Sequence, residues 1–207
     1  MSINVRKASV KDIDFISWAV LESSRSGKNI GIFDLIFETQ DNKKLLKKIA
    51  QLLQTSSKSY VHLSNFMVAE VNGKDGAALC GYEPRHATQA VFAKALLEID
   101  IDETYEQRIA TYQSCESQVD IKTWVLDFIE VVEGVNELAV IKALIQKSLL
   151  TARLMGYRKA QTFIEIGSTE VQLLYKKLGF SFLDEKRSEY FEEIFGRPGI
   201  SRFQMEL

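Results

Sequence analysis

The sequence has little with which to build a disulfide or a metal centre: two cysteines, Cys80 and Cys115, and two histidines, His62 and His86. None of the four sits at CxxC or HxxxH spacing, so a disulfide framework and zinc or redox chemistry are excluded, and no metal is expected. The cysteines read as small buried hydrophobes. Excess charge of either sign is also lacking. Twenty-six Lys+Arg stand against 28 Asp+Glu, a formal net charge of −2, which gives no electrostatic support for nucleic-acid binding or a polybasic membrane contact. No run approaches a membrane span, and MSINVRKASVKDID lacks the apolar core of a signal peptide, so a cytoplasmic protein is expected. With two prolines there is no Pro-rich linker, and no internal repeat divides the chain. A single domain over residues 1–207 is the economical reading.

What is present is regular. With 46% apolar and 26% charged residues the composition is that of a globular chain. Ile3 to Ala8 reads as a strand. Ser9, with Asp12 three positions on, resembles a capping box opening a helix over Val10 to Ser24. A longer helical region, Phe33 to Gln54, carries Leu45, Leu46, Ile49, Leu52 and Leu53 on one side and Lys43, Lys44, Lys47 and Lys48 on the other, a solvated amphipathic face. Asn65 to Val71 and Ala77 to Tyr82 flank an Asn72-Gly73 turn and predict a β-hairpin. Thr88 to Glu98, with Phe92, Leu96 and Leu97 inward, and Glu103 to Ser117 read as inserted helices. The β-branched and aromatic run Lys122 to Val132 suits a central strand. A 3.6-residue period returns over Asn136 to Met155 and stops at Gly156, a C′ position. Strand Lys159 to Ile166, helix Ser168 to Leu178, strand Phe180 to Asp184, an aromatic polar excursion over Glu189 to Gly199 and strand Ile200 to Glu206 complete the chain. Trp18 and Trp124 read as core. The order β-α-α-β-β-α-α-β-α-β-α-β-β predicts a mixed-sheet α/β (α+β) domain with a helical insertion near residues 85 to 120.

Several stretches resemble the GNAT N-acetyltransferase superfamily. The most specific is Leu174-Tyr175-Lys176-Lys177-Leu178-Gly179-Phe180. Ahead of it stand Arg153-Leu154-Met155-Gly156-Tyr157, Lys159-Ala160-Gln161 and Ile166-Gly167-Ser168-Thr169. Val68 to Gly73, Cys80-Gly81-Tyr82, and Val5-Arg6-Lys7-Ala8 with Asp12 are similar to the superfamily's earlier strands and first helix start. The resemblance implies a mixed, mostly antiparallel sheet flanked by helices, with the insertion between the third and fourth strands. It also implies acetyl-CoA as co-substrate, with the acetyl group moved by direct transfer to a primary amine of a small molecule or protein.

The implied pantetheine contacts are backbone groups at Ile129 and Val131. The pyrophosphate turn falls on Asn136-Glu137-Leu138-Ala139-Val140-Ile141, which departs from the Arg/Gln-x-x-Gly-x-Gly/Ala pattern: Asn136 stands at the Arg/Gln position, and Glu137, Ala139 and Ile141 stand where small residues are usual. Glycine lets the backbone approach a phosphate without a Cβ in the way, and a carboxylate at Glu137 repels it. Ser168 would also touch the cofactor. Tyr175 stands where many members keep the acid for the departing thiolate. Asp127 and Glu130, carboxylates inside an apolar strand, need a reason to be there; Asp127 is the candidate base and Glu130 the reserve. Strict alternation sets Asp127 on one face with Ile129 and Val131, and Glu130 on the other. Glu22, Phe33, Asp34 and Tyr82 are candidate acceptor walls. The alternative reading is a GNAT-fold protein that has lost catalysis and works as an acyl-CoA sensor or interaction module. A homodimer formed through the exposed strand Ile200 to Glu206 is a further expectation.

Overall fold

The computed structural model describes residues 2–207. The periodic segments form a seven-stranded sheet with helices on both faces. The strands are β1 (Ile3–Lys7), β2 (Phe66–Val71), β3 (Lys74–Tyr82), β4 (Thr123–Val131), β5 (Lys159–Glu165), β6 (Ser181–Arg187) and β7 (Gly199–Glu206), in spatial order β1-β2-β3-β4-β5-β7-β6. Among the described residues only β4 and β5 run parallel. Their crossover is α6 (Glu137–Leu154); the other helices are α1 (Ile13–Arg25), α2 (Ile32–Ile36), α3 (Asn42–Leu52), α4 (Gln89–Leu97), α5 (Tyr105–Cys115), α7 (Thr169–Lys177) and α8 (Glu189–Phe195).

Helices α1 to α5 cover one face and α6 and α7 the other, and the alternation of β2, β3 and β4 divides the apolar side chains between two cores. On the α6 side, Trp124 Nε1 donates to Ser148 Oγ at 3.0 Å. A Cβ on Gly81 would collide with Ser148 Oγ and stand 3.0 Å from Trp124 Nε1, so a larger residue there would displace this hydrogen bond. Gly156, just past α6, has φ +91°, the left-handed C′ conformation expected of it. At the opposite edge Arg6 holds Asp12 with two hydrogen bonds, of 2.8 and 2.9 Å, while Asp12 accepts the Ser9 N–H at 2.7 Å. Lys48 is the exception on the lysine face of α3: it reaches across to the Ile99 carbonyl at 2.6 Å.

Some expectations need correction. Phe33 to Gln54 is two helices, because the chain turns through Glu38 at φ 50° and restarts at Asp41, whose carboxylate accepts the Lys43 N–H. The excursion after Glu189 contains α8, buried through Phe191 and Phe195. Leu97 is exposed rather than inward. The final strand is not an edge: β7 lies between β5 and β6, hydrogen-bonded on both sides, so the edges are β1 and β6. The basis for a dimer through Ile200 to Glu206 is therefore gone. No helix among the described residues is long and apolar enough to cross a membrane.

Candidate active site

The site originates in an irregularity of β4. Ala78 of β3 faces Glu130, but Cys80, two residues on, faces Asp127, so β4 carries one extra residue there. This is a β-bulge, with Phe128 at φ 43°, a conformation unusual for a bulky side chain. The bulge corrects the alternation expected from the sequence. Asp127 and Glu130 share one face, the one covered by α1 to α5, whereas Ile129 and Val131 face α6. The hydrogen-bonded ladder between β4 and β5 ends at Leu126 and Thr162, just before the bulge. Beyond it the facing edges of the two strands do not pair with each other, and the sheet is split.

The split opens a cavity of about 1610 Å³. Its walls include Asp127, Glu130, Tyr175, Tyr82, Ile129, Val131, Glu137, Ile141 and Ser168, all candidates from the sequence. Asp127 accepts the Phe128 N–H at 2.8 Å. Burial pushes its pKa up to about 7, against the pull of that N–H; Glu116, another carboxylate, adds to the rise. Glu130 is likewise pushed up to about 7, chiefly by burial, with the Val131 N–H opposing and Glu22 and Glu137 adding repulsion. Burial raises the Tyr175 hydroxyl to about 12; Thr162 opposes the rise and Asp127 adds to it. The Tyr175 ring is fixed edge-on against Phe180 at 5.2 Å, so it packs on the sheet while lining the cavity.

Other candidates lie elsewhere. Asp34 and Arg25 form a buried ion pair at 2.6 and 3.1 Å, and Asp34 also accepts the Gly31 N–H at 2.9 Å. Phe33 is core, against Phe37 and Phe128. Neither they nor Glu22 lines the cavity; the Glu22 charge raises the pKa of both Glu130 and Arg25.

In the turn before α6 the Asn136 side chain caps the helix, accepting the Ala139 N–H at 3.2 Å, and Val140 is buried in the α6 core. Leu138 faces a separate groove with Lys142 and Arg153. Asn136, Leu138, Ala139 and Val140 therefore do not line the cavity. The sequence reading missed Tyr60, Phe92, Tyr105, Tyr112 and Glu116, which do. For Phe92, Tyr105 and Tyr112 the available signal was the aromatic content of the insertion.

The residues fit an acyl-CoA in part. The unpaired strand edges can take an extended amide-bearing arm, as any sheet edge can. At the helix the N–H groups of Glu137 and Leu138 have no intrahelical partner and the dipole favours an anion. Against this, Glu137 is acidic and Ile141 fills space with a buried side chain. Among the described residues no group of three or more His, Cys, Asp and Glu could hold a metal ion.

No family model matches the sequence, and no curated protein matches it. Solved structures do match. An N-acetyltransferase from Staphylococcus aureus aligns over 98% of this chain and 100% of its own, with a TM-score of 0.68 at 13% identity. The PaiA N-acetyltransferase of Thermoplasma acidophilum, solved in complex with coenzyme A, aligns over 100% of both chains, with a TM-score of 0.56 at 13% identity. An acetyltransferase of the GNAT family from Streptococcus pneumoniae gives a TM-score of 0.54 at 16% identity, covering 100% of this chain and 99% of that one. At these identities the likeness is one of fold.

Proposed function

The chain has the fold of the GNAT acetyltransferases, and on that premise we propose that it moves an acetyl group from acetyl-CoA to a primary amine by direct transfer. The observation that carries this reading is the β4 bulge. It puts two carboxylates with raised pKa on the wall of a cavity that Tyr175 also lines, beside split strand edges.

The groups suit the chemistry. Acetyl-CoA, when bound, supplies the activated thioester carbonyl. An ammonium must lose a proton before its nitrogen can attack, and Asp127, at about 7, is matched to accept that proton near neutrality. Glu130, also at about 7, is a second carboxyl on the same wall, and its ionised fraction helps attract the ammonium. As the new C–N bond forms and the C–S bond breaks, Tyr175 holds the proton that the departing thiolate needs, and at about 12 it stays protonated until then. The backbone at Ile129 and Val131 would pair with the pantetheine arm, and the first turn of α6 would face the pyrophosphate.

The test is calorimetric titration of the protein with acetyl-CoA and with CoA, followed by acetylation assays on a panel of amines. The expected result is micromolar binding and turnover that falls by about tenfold or more in Tyr175→Phe. Glu137 and Ile141 at the α6 turn favour a second reading, a binding module without catalysis. Tight CoA binding with no transfer to any amine would select it.

A further inference from the structure

The far end of the cavity, away from α6, is a chamber of aromatic rings from separate parts of the chain. Tyr60 packs against Phe92 at 4.9 Å, Tyr82 at 5.7 Å and Phe128 at 6.1 Å, and Phe92 meets Tyr105 edge-on at 6.0 Å. Tyr112, from α5, and Glu116, just past its end, line the same space, with Asp127 on β4. The chamber belongs to the insertion as much as to the sheet.

Its charge balance is uneven. The cavity walls carry seven carboxylates and three basic side chains. The three basic groups are already engaged: Arg85 with Glu83 at 2.7 Å, Arg197 with Glu165 at 3.9 Å, and Lys186 with the Glu116 carbonyl at 2.6 Å. Asp127 and Glu130 have no such partner among the described residues, and the charges acting on them are other carboxylates. A second observation points to a missing ligand group. Tyr105 is 1% exposed, and its hydroxyl has no hydrogen-bond partner although the residue lines the chamber. An unmade bond of this kind is costly unless something that enters completes it.

We propose that the acceptor is a primary amine on a neutral, largely apolar body bearing one hydrogen-bonding group, seated among Tyr60, Tyr82, Phe92, Tyr105 and Tyr112 with its ammonium at Asp127. The aromatic faces attract an ammonium as well as an apolar body. Tyr105 Oη is closed to solvent in the unliganded chain, so the Tyr105 ring turns outward to meet the polar group. A carboxylate or phosphate on the acceptor would meet Asp127, Glu116 and Glu130 and is excluded. This deepens the acetyl-transfer reading and rests on it for the word acceptor; the chamber's preference does not require transfer.

Three probes share one frame: benzylamine, para-hydroxybenzylamine and para-(aminomethyl)benzoate. Each is titrated into the full chain without acetyl-CoA, and then offered in the acetylation assay. Benzylamine is expected to bind about tenfold tighter than the benzoate, which must bring a carboxylate beside others. The hydroxyl is expected to add about fivefold, the effect of one neutral hydrogen bond. In Tyr105→Phe that fivefold disappears, so that benzylamine and para-hydroxybenzylamine bind alike. Benzoate binding as well as benzylamine, or a hydroxyl advantage that survives in Tyr105→Phe, overturns the proposal. Acetylation confined to carboxylate-bearing amines or to protein lysines also overturns it and leaves acetyl transfer standing. Binding in the expected order without turnover has the opposite meaning: the chamber is as described and the transfer reading fails.

Discussion

Asp127 works against the stability of the protein that carries it. Its carboxyl is held at about 7, above the ordinary value near 4, so the folded state binds its proton more tightly than the unfolded chain does. Its contribution to stability is full below about pH 4 and is lost as pH rises from there through about 7. Asp127→Asn is therefore expected to raise the melting temperature above pH 7 while lowering acetylation by about a hundredfold or more. Scanning calorimetry beside a rate assay shows both. Asp12 has the reverse sign: Arg6 holds it down at about 2, so its contribution is present above about pH 4 and fades as pH falls toward 2. Asp34, an acceptor candidate from sequence, is instead a structural anion beneath Arg25. Asp34→Ala strands a buried guanidinium and is expected to cost about 3–5 kcal/mol in urea denaturation. If Asp34→Ala changed the acceptor's KM at unchanged stability, that structural assignment would be wrong.

At the scale of elements, α6 serves two ends that conflict. Glu137 in its first turn favours the helix through the dipole by about 0.3–1 kcal/mol, and the same charge opposes an anion docking there. Glu137→Gln is expected to tighten CoA binding several-fold, most at low salt, with a stability loss below about 1 kcal/mol. Titrations at two salt concentrations check this. The extent of α6 and its stop at Gly156 were legible because a helical period and a C′ glycine are local signals, as was the Asn72-Gly73 hairpin. The bulge was not legible. Phe128 takes φ 43° without being Gly, Asn or Asp, the residues that usually announce that conformation, and one extra residue in an apolar strand leaves its hydrophobicity unchanged. So the sequence pointed to both carboxylates and put them on opposite faces. The break at Glu38 was hidden for the same reason. The place of β7 between β5 and β6 is a long-range pairing with no local signature. The chamber was hidden differently: Tyr60, Tyr82, Phe92 and Tyr105 are spread over forty-odd positions of sequence and become neighbours only when the insertion folds over the sheet.

For the whole molecule, the near-neutral sum of charges conceals a local excess, since the cavity alone has seven carboxylates to three basic groups. Added salt is expected to raise KM for a cationic acceptor and lower it for acetyl-CoA, opposite slopes that initial rates at rising ionic strength will show. One more consequence follows from placing a cation and an anion in the same acidic space. Each neutralises the field the other must enter, so the ligands are thermodynamic partners, and whatever factor the amine adds to CoA affinity, CoA must return to the amine. This predicts synergy in titrations: saturating the protein with either ligand tightens the dissociation constant of the other by one common factor.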